Sequence, residues 1–291
     1  DGTCLNAFKR RGMRVLGVDP ADNIAQIANE RGIETIANFF DIDLAYEIKE
    51  KFGTPDLITS HNVLAHIEDF SGAMEAVSYL LDSDSIFIFE VGYFSEVFQN
   101  LWFDTIYHEH LDYHTVAPLK AFFESISMEL FDVQTIDIQG GSIRSFVQLE
   151  SGSNILSASV DKLITSEIKH GLTNVTNLRN FQTEINIVKD DLLKMLKRFK
   201  NDGLRIAGYG APTKSTTLMN YFCLDSSIID FIIDDNELKQ GKYSPLLHIP
   251  IVSSDYIADG NESDYMLILA WNFADSIIEK VRKTNNFNGK F

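Results

Sequence analysis

The sequence predicts an α/β protein with a doubly wound, mostly parallel sheet in its first half and a second, smaller α/β unit after it. Two observations support this fold class. Short apolar runs with strand character alternate with amphipathic helical stretches through the first 91 residues, which is the order of repeated β-α-β units. After residue 203 the alternation starts again, with a glycine turn between its first strand and its first helix.

The first half contains four predicted strands separated by helices. The strands cover residues 14–18, 34–38, 56–60 and 85–91, and the helices cover 5–11, 22–31, 44–52 and 71–81. In such sheets an acidic residue ends the second strand about 20 residues after the first glycine turn, and Gly2 and Asp19 fit this spacing. We therefore expect the first strand and most of the glycine loop to precede Asp1, so that the sequence is an N-terminally truncated piece of a longer chain.

Polar and aromatic residues follow these strands, at the sheet edge where α/β proteins bind ligands. Asp19 is placed to accept hydrogen bonds from two ribose hydroxyls, although a helix N-cap is the rival role and Asp22 suits that role better. Phe39 and Phe40 suit either an adenine ring or the core. His66 is either a partly buried structural histidine or a residue near the reactive end of a cofactor. The predicted cofactor contacts are Asp1, Gly2, Asp19, Pro20, Asn38, Phe39, Phe40, Asn62 and Val63.

A hairpin and a long helix are predicted next. After a helix over 116–125, strand runs at 130–139 and 143–149 are joined by the glycine turn Gly140-Gly141-Ser142. Arg144, just after the turn, suits either an anionic ligand group or a surface salt bridge. Apolar residues then recur at steps of three and four between residues 172 and 201, which predicts one amphipathic helix. We interpret this helix as a connector without chemistry of its own.

The glycine turn after residue 203 predicts an anion site. A strand at 204–207 runs into Gly208-Tyr209-Gly210 and then into a helix that ends near residue 222, so backbone N–H groups and the helix dipole face outward. Thr213 and Lys214 suit a diphosphate. Strands at 228–233 and 266–270 and a final helix complete this unit.

Residues 103–115 contain three of the seven histidines. Imidazole titrates near neutral pH, so His108, His110 and His114 beside Tyr107 and Glu109 suit acid/base chemistry. A zinc site and a solvated polar loop are the other interpretations, but the helical His-Glu-x-x-His spacing and nearby cysteines are missing, and we predict no metal. If the segment is extended, Tyr107 and Glu109 share one face while His108 and His110 share the other.

Composition favours a small-molecule partner. The 291-residue chain is 45% hydrophobic and carries a formal net charge of −17, which opposes binding to nucleic acid and to anionic membranes. We expect a monomer or a weak homo-oligomer. No apolar run approaches the roughly 20 residues of a membrane span and no signal peptide opens the chain, so the cytoplasm is the expected location. Cys4 and Cys223 are too few for a disulfide framework and are expected to be plain reduced thiols.

Five motifs occur together in the order that they have in one enzyme family. They are Glu90-Val91-x-Tyr93, Phe103-Asp104-Thr105-Ile106-Tyr107-His108-Glu109-His110, Gly140-Gly141-Ser142-Ile143-Arg144, Gly208-Tyr209-Gly210-Ala211 with Lys214, and Asp234-Asp235-Asn236-x-x-Lys239-x-Gly241. Through them the chain resembles, over nearly its whole length, the S-adenosylmethionine-dependent sugar C-methyltransferases of deoxysugar biosynthesis. The Tyr-His-Glu-His string is the most specific part of this resemblance.

The resemblance implies a class I methyltransferase Rossmann-like domain over residues 1–150, a helical connector over 151–202 and a Rossmann-like C-terminal domain over 203–291. It implies S-adenosyl-L-methionine as the cofactor and a nucleotide-diphosphate sugar as the substrate. The sugar carbon next to a keto group would be methylated through an enolate, with His110 as the base and Tyr107, Glu109 and His66 assisting. The implied substrate contacts are His108, Tyr93, Arg144, Tyr209, Gly210, Lys214, Asp235 and Asn236.

The sequence departs from the family pattern in three places. The four-cysteine zinc-binding domain that precedes the cofactor loop in family members is not in the sequence, Gly92 stands where a proline is usual, and Gln139 stands where histidine is common. Two other functions therefore stay open. One is a nicotinamide-dependent sugar-nucleotide oxidoreductase, although neither glycine turn has the three-glycine fingerprint. The other is an inactive nucleotide-binding scaffold.

Overall fold

The computed structural model describes residues 1–258, 260–284 and 287–291. Within these residues the chain forms two compact units. The first unit contains Asp1–Gly92, His114–Ile136 and Ile143–Ile164, and the second contains Tyr93–Tyr113, Asp137–Ser142 and Thr165–Phe291. Residues 103–113 of the histidine segment and the glycine turn at 140–142 therefore belong to the second unit, together with the C-terminal part of the chain, whereas His114 belongs to the first unit. The predicted domain boundaries after residues 150 and 202 stay predictions.

Two sheets form the frame of the first unit. β1 (Gly17–Asp19) pairs in parallel with β2 (Thr35–Ala37), and β3 (Leu57–His61) pairs in parallel with β4 (Ile86–Gly92). The second sheet continues through β6 (Ser142–Leu149) to β5 (Met128–Ile136), in the order β3-β4-β6-β5. The helices of this unit are α1 (Thr3–Lys9), α2 (Asp22–Glu30), α3 (Ile42–Phe52), α4 (Phe70–Leu80) and α6 (Val116–Ser125).

Side-chain caps and an apolar cluster fix α3 and α4. The carboxylate of Asp41 accepts a hydrogen bond from the Leu44 backbone N–H, and that of Asp69 accepts one from Gly72, each at 2.9 Å. Such caps stabilise a helix by about 1 kcal/mol each. The buried faces of the two helices then pack into one cluster, whose buried members are Leu44, Ala45, Ile48, Ala76 and Leu80. This packing holds the loops at the carboxyl ends of the strands in place.

The second unit contains a four-stranded parallel sheet in the order β10-β7-β8-β9. Its strands are β7 (Ile206–Tyr209), β8 (Phe231–Ile233), β9 (Ile251–Val252) and β10 (Tyr265–Ile268). Its helices are α5 (Phe94–Gln99), α8 (Val175–Asn201), α9 (Thr213–Phe222), α10 (Asp255–Ala258) and α11 (Ala274–Thr284). The residues of α7 (Ala158–Lys169) up to Ile164 belong to the first unit and the rest to the second. Ile185 and Leu196 of α8 enter the same core as Ile206 of β7. Phe103 stacks on Phe222 of α9 at a centroid distance of 5.0 Å, which ties the histidine segment to this core.

The predicted alternation of strands and helices is confirmed, and the helix over 116–125 has the predicted bounds. The predictions missed α5, α7, β9 and α10. Several strands are shorter than predicted, and for two of them the structure shows the reason. β5 ends at Ile136 because Gln139, Gly140 and Gly141 all have positive φ, and β8 begins only at Phe231 because residues 228 and 229 form a turn on Asp225. No helix in the described part of the chain is long and apolar enough to cross a membrane.

Candidate active site

Asp19 ends β1 and keeps one carboxylate oxygen open. Its Oδ1 accepts a hydrogen bond from the Ala21 backbone N–H at 2.9 Å, while Oδ2 has no hydrogen-bond partner among the residues that the structure describes. The expected N-cap role of Asp22 is wrong, because Asp22 is the first residue of α2 and the N-cap position is Ala21. Asp19 is therefore held in place at one oxygen, and the other oxygen suits a ligand hydroxyl.

Exposed apolar side chains lie at the ends of two strands of the first unit. Phe39 lies two residues beyond Ala37, the register partner of Asp19, and is 73% exposed. Val63 follows β3 and is 49% exposed. Phe40 instead packs against the cluster of α3 and α4, so the core interpretation holds for Phe40 but not for Phe39. A ribose needs a hydrogen-bond acceptor and an adenine needs an apolar surface, and both are present here for an adenosine group.

The other predicted cofactor residues have local structural partners. Asp1 accepts a hydrogen bond from the Thr3 backbone N–H at 3.0 Å and lies 3.4 Å from the Arg31 guanidinium. Gly2 has φ of 75°, and a Cβ there would lie 3.1 Å from Ile33. The Asn38 side chain accepts from the Phe39 backbone N–H at 2.8 Å. The Asn38 contact fixes the turn that carries Phe39.

A left-handed residue turns the chain after β3. Asn62 has φ of 53° and donates its backbone N–H to the Glu90 carbonyl at 2.8 Å. The short 3₁₀ turn Leu64–His66 follows, with Leu64 buried and His66 exposed, and Pro20 is exposed after β1. The turn therefore keeps His66 on the surface at a strand end, which does not support the interpretation as a partly buried structural histidine.

A chain of four polar side chains crosses the sheet of the first unit, from Cys4 in α1 through His61 and Glu90 to Arg144 in β6. His61 and Glu90 are register partners on β3 and β4, and His61 Nδ1 lies 3.0 Å from Glu90 Oε2. Glu90 Oε1 lies 2.6 Å from Arg144 Nε and 2.5 Å from Nη2. On the other side of the ring, His61 Nε2 lies 3.8 Å from the thiol sulfur of Cys4.

The environment of Glu90 favours its ionised form. Only 7% of its side chain is exposed, and burial alone would raise the pKa of Glu90. The hydrogen bonds and charges of His61 and Arg144 outweigh burial and hold the pKa of this carboxyl below its ordinary value. Arg144, predicted to contact substrate, thus has a buried carboxylate as its structural partner.

In the second unit the histidine segment is a turn rather than a strand. The His110 backbone N–H donates to the Tyr107 carbonyl at 3.0 Å, directly after the 3₁₀ turn Phe103–Thr105. The expectation for an extended segment is therefore not met, and Tyr107 and His110 lie together instead of on opposite faces. Their rings are 4.3 Å apart between centroids.

The partners of His110 determine its tautomer. Nδ1 lies 2.8 Å from the Thr105 carbonyl oxygen, which only accepts hydrogen bonds, so Nδ1 carries the hydrogen. Nε2 is then the acceptor atom of the neutral ring, and it lies 3.2 Å from the Tyr107 hydroxyl, which donates to it. Burial, together with the charges of Glu109 and Asp104, raises the pKa of Tyr107 and keeps this hydroxyl protonated. The pair is arranged as a base with its own hydrogen-bond donor.

His108 has a different environment from His110. Its side chain is 80% exposed, and its Nε2 lies 3.8 Å from Glu109 Oε1. An exposed ion pair of this kind is worth little. Among the described residues, no group of three or more His, Cys, Asp or Glu side chains is arranged to hold a metal ion.

A tryptophan cluster anchors the histidine segment within the second unit. The Trp271 indole N–H donates to Asp104 Oδ2 at 2.7 Å, and Trp271 stacks on Trp102 at 4.6 Å between centroids. Burial raises the pKa of Asp104, an effect that the hydrogen bond from Trp271 and the charge of Lys214 only partly offset. A Cβ at Gly140 would lie 3.1 Å from Trp102, so the glycine turn closes against the same cluster.

Lys214, predicted to bind a diphosphate, is part of this tryptophan cluster. Its ammonium lies 4.3 Å from the centre of the Trp271 ring and donates to the Asn272 side chain. Burial lowers the pKa of Lys214, and the Asp104 carboxylate offsets part of this effect. The lysine is therefore held by the protein itself, and a phosphate would compete with these contacts.

A carboxylate of the protein itself accepts a hydrogen bond from the glycine turn after β7. The Ala211 backbone N–H donates to Asp234 Oδ2 at 2.7 Å, and Asp234 is 8% exposed. The expectation that this N–H faces outward is therefore wrong. Gly210 has φ of 89°, and a Cβ there would lie 2.5 Å from that of Ala270, so only glycine fits between the strand ends.

The remaining predicted substrate residues include both buried and exposed side chains. The Tyr209 hydroxyl, on a buried side chain, donates to Asp235 Oδ1 at 2.9 Å, and Lys280 lies 2.6 Å from the same oxygen. Asp235 and Asn236 are exposed after β8. Tyr93 is 3% exposed and donates to the buried Glu167 at 2.9 Å, so its hydroxyl has a structural partner too.

Two protein families match the chain, one over each half. Residues 1–129 match a methyltransferase domain, and residues 137–291 match a C-methyltransferase C-terminal domain. These matches define an S-adenosyl-L-methionine-dependent methyltransferase. The chain is also 37% identical over 290 residues to the C-methyltransferase NovU of Streptomyces niveus, covering all of this chain and 69% of that one. The chain therefore belongs to the C-methyltransferase family, and its cofactor is S-adenosyl-L-methionine.

Solved structures of methyltransferases match about half of the chain at low identity. An S-adenosylmethionine-dependent methyltransferase of Anabaena variabilis matches with 12% identity and a TM-score of 0.41, over 51% of this chain and 73% of its own. A Burkholderia thailandensis N1-methyltransferase of 1,6-didemethyltoxoflavin matches with 16% identity and a TM-score of 0.37, over 51% of this chain and 66% of its own. The family assignment does not rest on these two likenesses.

Several residues with a clear role in the geometry were missed from the sequence. Cys4 was predicted to be a plain thiol, and His61, Asp104 and Trp271 received no role. A lone glutamate inside the apolar run of β4 is the one available signal for Glu90, because a buried carboxylate needs a partner. The contacts of Asp104 with Trp271 join residues 167 positions apart and leave no local pattern.

Proposed function

We propose that the enzyme methylates the carbon next to the keto group of a nucleotide-diphosphate sugar, through an enolate, with His110 as the base. The observation that carries this proposal is the tautomer of His110, whose Nδ1–H is held by the Thr105 carbonyl and whose Nε2 is the basic atom. A proton next to a carbonyl is a weak acid, so its removal needs a neutral, positioned base. C-methylation at such a carbon requires this step, and the sugar nucleotide is the substrate class that the sequence resemblance implies.

Tyr107 supplies the second group that the reaction needs. In the resting pair its hydroxyl donates to His110 Nε2 at 3.2 Å. Once Nε2 has taken a proton, the imidazolium donates a hydrogen bond to the Tyr107 oxygen. The Tyr107 hydroxyl can then donate its own hydrogen bond to the substrate oxygen, where negative charge develops. The raised pKa of Tyr107 keeps that hydrogen on the hydroxyl at neutral pH. Glu109 and His66 are proposed to bind sugar hydroxyls or to return a proton.

The first unit is proposed to hold the cofactor. When bound, S-adenosylmethionine supplies an electrophilic methyl group on a sulfonium. The open Oδ2 of Asp19 accepts hydrogen bonds from the ribose, and the exposed ring of Phe39 covers the adenine. The remaining proposed contacts are Asp1, Gly2, Pro20, Asn38, Phe40, Asn62 and Val63.

The nucleotide sugar is proposed to contact eight residues, which differ in how far they are exposed. Asp235 and Asn236 are exposed after β8, and His108 is exposed next to Glu109. Tyr209, Gly210, Lys214, Tyr93 and Arg144 are also proposed, but they are less exposed than these three residues. We therefore expect the first three to make direct contacts and the others to support them.

Proton abstraction and methyl transfer test this proposal separately. The enzyme is incubated in heavy water with S-adenosylhomocysteine and a panel of nucleotide-linked keto sugars, and hydrogen exchange next to the keto group is followed by nuclear magnetic resonance. We expect hydrogen exchange next to the keto group of at least one sugar. When S-adenosylmethionine replaces S-adenosylhomocysteine, we expect a new methyl group on the same carbon. Methylation of an oxygen or nitrogen, or of a carbon that does not exchange, would contradict the enolate.

A further inference from the structure

The four-residue polar chain of the first unit places an imidazole against an exposed thiol. Cys4 is exposed in the first turn of α1, and its sulfur lies 3.8 Å from His61 Nε2. The opposite nitrogen of that ring lies 3.0 Å from a carboxylate that is 7% exposed. A thiol, an imidazole and a buried carboxylate in this order form the arrangement by which proteins activate a sulfur nucleophile.

Arg144 completes the arrangement by holding Glu90. Its guanidinium contacts the carboxylate at 2.5 and 2.6 Å, so that Glu90 stays ionised and fixed against the ring. With its carboxylate partner at Nδ1, the ring presents Nε2 to the sulfur as the atom that accepts a proton. Positive charge that arrives on the ring is stabilised by Glu90.

We propose that Cys4 is a peroxide-sensitive thiol whose oxidation is assisted by His61. As the sulfur attacks one peroxide oxygen, the thiol proton passes to His61 Nε2, an S–O bond forms and the O–O bond breaks. His61 returns the proton to the leaving oxygen, so that one peroxide and one thiol give a sulfenic acid and water. Reduction by a small thiol restores Cys4.

Oxidation at this position also affects the cofactor loop. Gly2, Asn62 and Val63 are proposed cofactor contacts. Cys4 lies two residues after Gly2, and His61 directly precedes Asn62. A sulfenic acid is bulkier and more polar than a thiol, so we expect oxidised protein to bind S-adenosylhomocysteine more weakly. This second step rests on the proposed cofactor contacts, whereas the reactivity of Cys4 does not.

The two cysteines of the chain provide an internal control for the reactivity. The intact protein is treated with limiting hydrogen peroxide in the presence of dimedone, which traps sulfenic acids, and labelling at Cys4 and at Cys223, which is also exposed, is read by peptide mass spectrometry. Assistance by a base is worth at least about tenfold. We expect Cys4 to be labelled about tenfold faster than Cys223, and His61→Asn to remove this difference without changing Cys223. Equal labelling of the two cysteines, or an unchanged rate at Cys4 in the variant, would overturn the proposal.

Calorimetry then tests the link to the cofactor. Unmodified protein, peroxide-treated protein and treated Cys4→Ser protein are each titrated with S-adenosylhomocysteine. We expect an affinity loss of about tenfold after peroxide treatment in the wild type, recovery on reduction and no loss in the variant. An unchanged affinity after full oxidation of Cys4 would refute the link, whereas an absence of binding before treatment would refute the cofactor contacts instead.

Discussion

His61 and His110 each have partners at both ring nitrogens, but the partners differ in charge. In the first unit, His61 has the Glu90 carboxylate at Nδ1 and the Cys4 thiol at Nε2. In the second unit, His110 has the neutral Thr105 carbonyl at Nδ1 and the Tyr107 hydroxyl at Nε2. A carbonyl fixes a tautomer without adding charge, whereas a carboxylate also stabilises a positively charged ring.

This difference determines the chemistry that each ring supports. The carbonyl at Nδ1 of His110 fixes the tautomer without adding a counter-charge, so the ring that takes a proton from carbon can also release it again in each turnover. An imidazole that activates a thiol gains from a carboxylate, because the charged ring stabilises the sulfur anion as it forms. The two histidines thus differ in their proposed roles because different groups accept the hydrogen bond from Nδ1.

The largest effect is expected from His110→Gln. Removing the base should reduce hydrogen exchange next to the keto group by about 100-fold to 10,000-fold. His108→Gln is the matched comparison, because this exposed imidazole is proposed to bind the substrate and not to act as the base, so exchange at saturating sugar nucleotide should stay near the wild-type rate. Exchange is measured in heavy water with the melting temperature of each variant. Similar losses in both variants at equal stability would break the distinction between the two neighbouring rings.

The next effect is expected in cofactor binding. Asp19→Ala removes a carboxylate whose Oδ2 is open, and a hydrogen bond to a charged group is worth about 1.5–3 kcal/mol, or roughly 10-fold to 150-fold in affinity. Calorimetry with S-adenosylhomocysteine measures this loss. Asp22→Ala, at the exposed first position of α2, should bind as the wild type does. A loss of affinity in Asp22→Ala that matches that of Asp19→Ala would show a general charge effect instead of a specific contact.

A third variant makes the partner of His61 resemble that of His110. Glu90→Gln replaces the carboxylate by a neutral acceptor and should reduce the free energy of unfolding by about 2 kcal/mol at pH 7. The folded-state pKa of Glu90 lies below the ordinary value of 4.5. Its stabilisation is therefore present above pH 4.5 and is lost as the pH falls through the folded-state pKa. Urea unfolding at pH 7 and pH 4 should give a smaller difference between wild type and variant at the lower pH.

The sequence predicted the frame of both units because their signals are local. Strand and helix periodicity and the glycine turns are read within a few residues, so most elements lie within three residues of their predicted bounds. Asp19 and the Tyr107–His110 string were predicted as site residues because a strand end and a dense cluster of titratable groups are visible in the sequence, and their roles stay predictions. The turn that joins Tyr107 to His110 was not predicted, since alternation assumes an extended backbone.

Long-range contacts account for what the sequence did not predict. Lys214 and Arg144 were interpreted as cations for an anionic ligand, but Trp271 and Asn272 hold the first and Glu90 holds the second. Ala211 was expected to offer its N–H to a phosphate, and Asp234 accepts it instead. In each case a partner at least 23 residues away in sequence changes the role of the group.

The smallest effect is expected at Asp104, the buried carboxylate whose pH dependence has the opposite sign to that of Glu90. Asp104→Asn keeps an oxygen that accepts from the Trp271 indole N–H, so it should change the free energy of unfolding by less than about 1 kcal/mol at pH 7. Asp104→Ala leaves that N–H without its acceptor and should cost about 1–3 kcal/mol.

The sign follows from the raised pKa of Asp104, whose ordinary value is 3.8. The stabilisation from binding this proton is complete below pH 3.8 and disappears as the pH rises through the folded-state pKa. On acidification, wild type should therefore gain stability relative to Asp104→Asn. Relative to Glu90→Gln, wild type should lose stability over the same change in pH. Urea midpoints from tryptophan fluorescence, which reports Trp102 and Trp271 of the second unit, measure the difference. If both variants shift in the same direction with pH, the two carboxylates do not differ in their environment as the structure indicates.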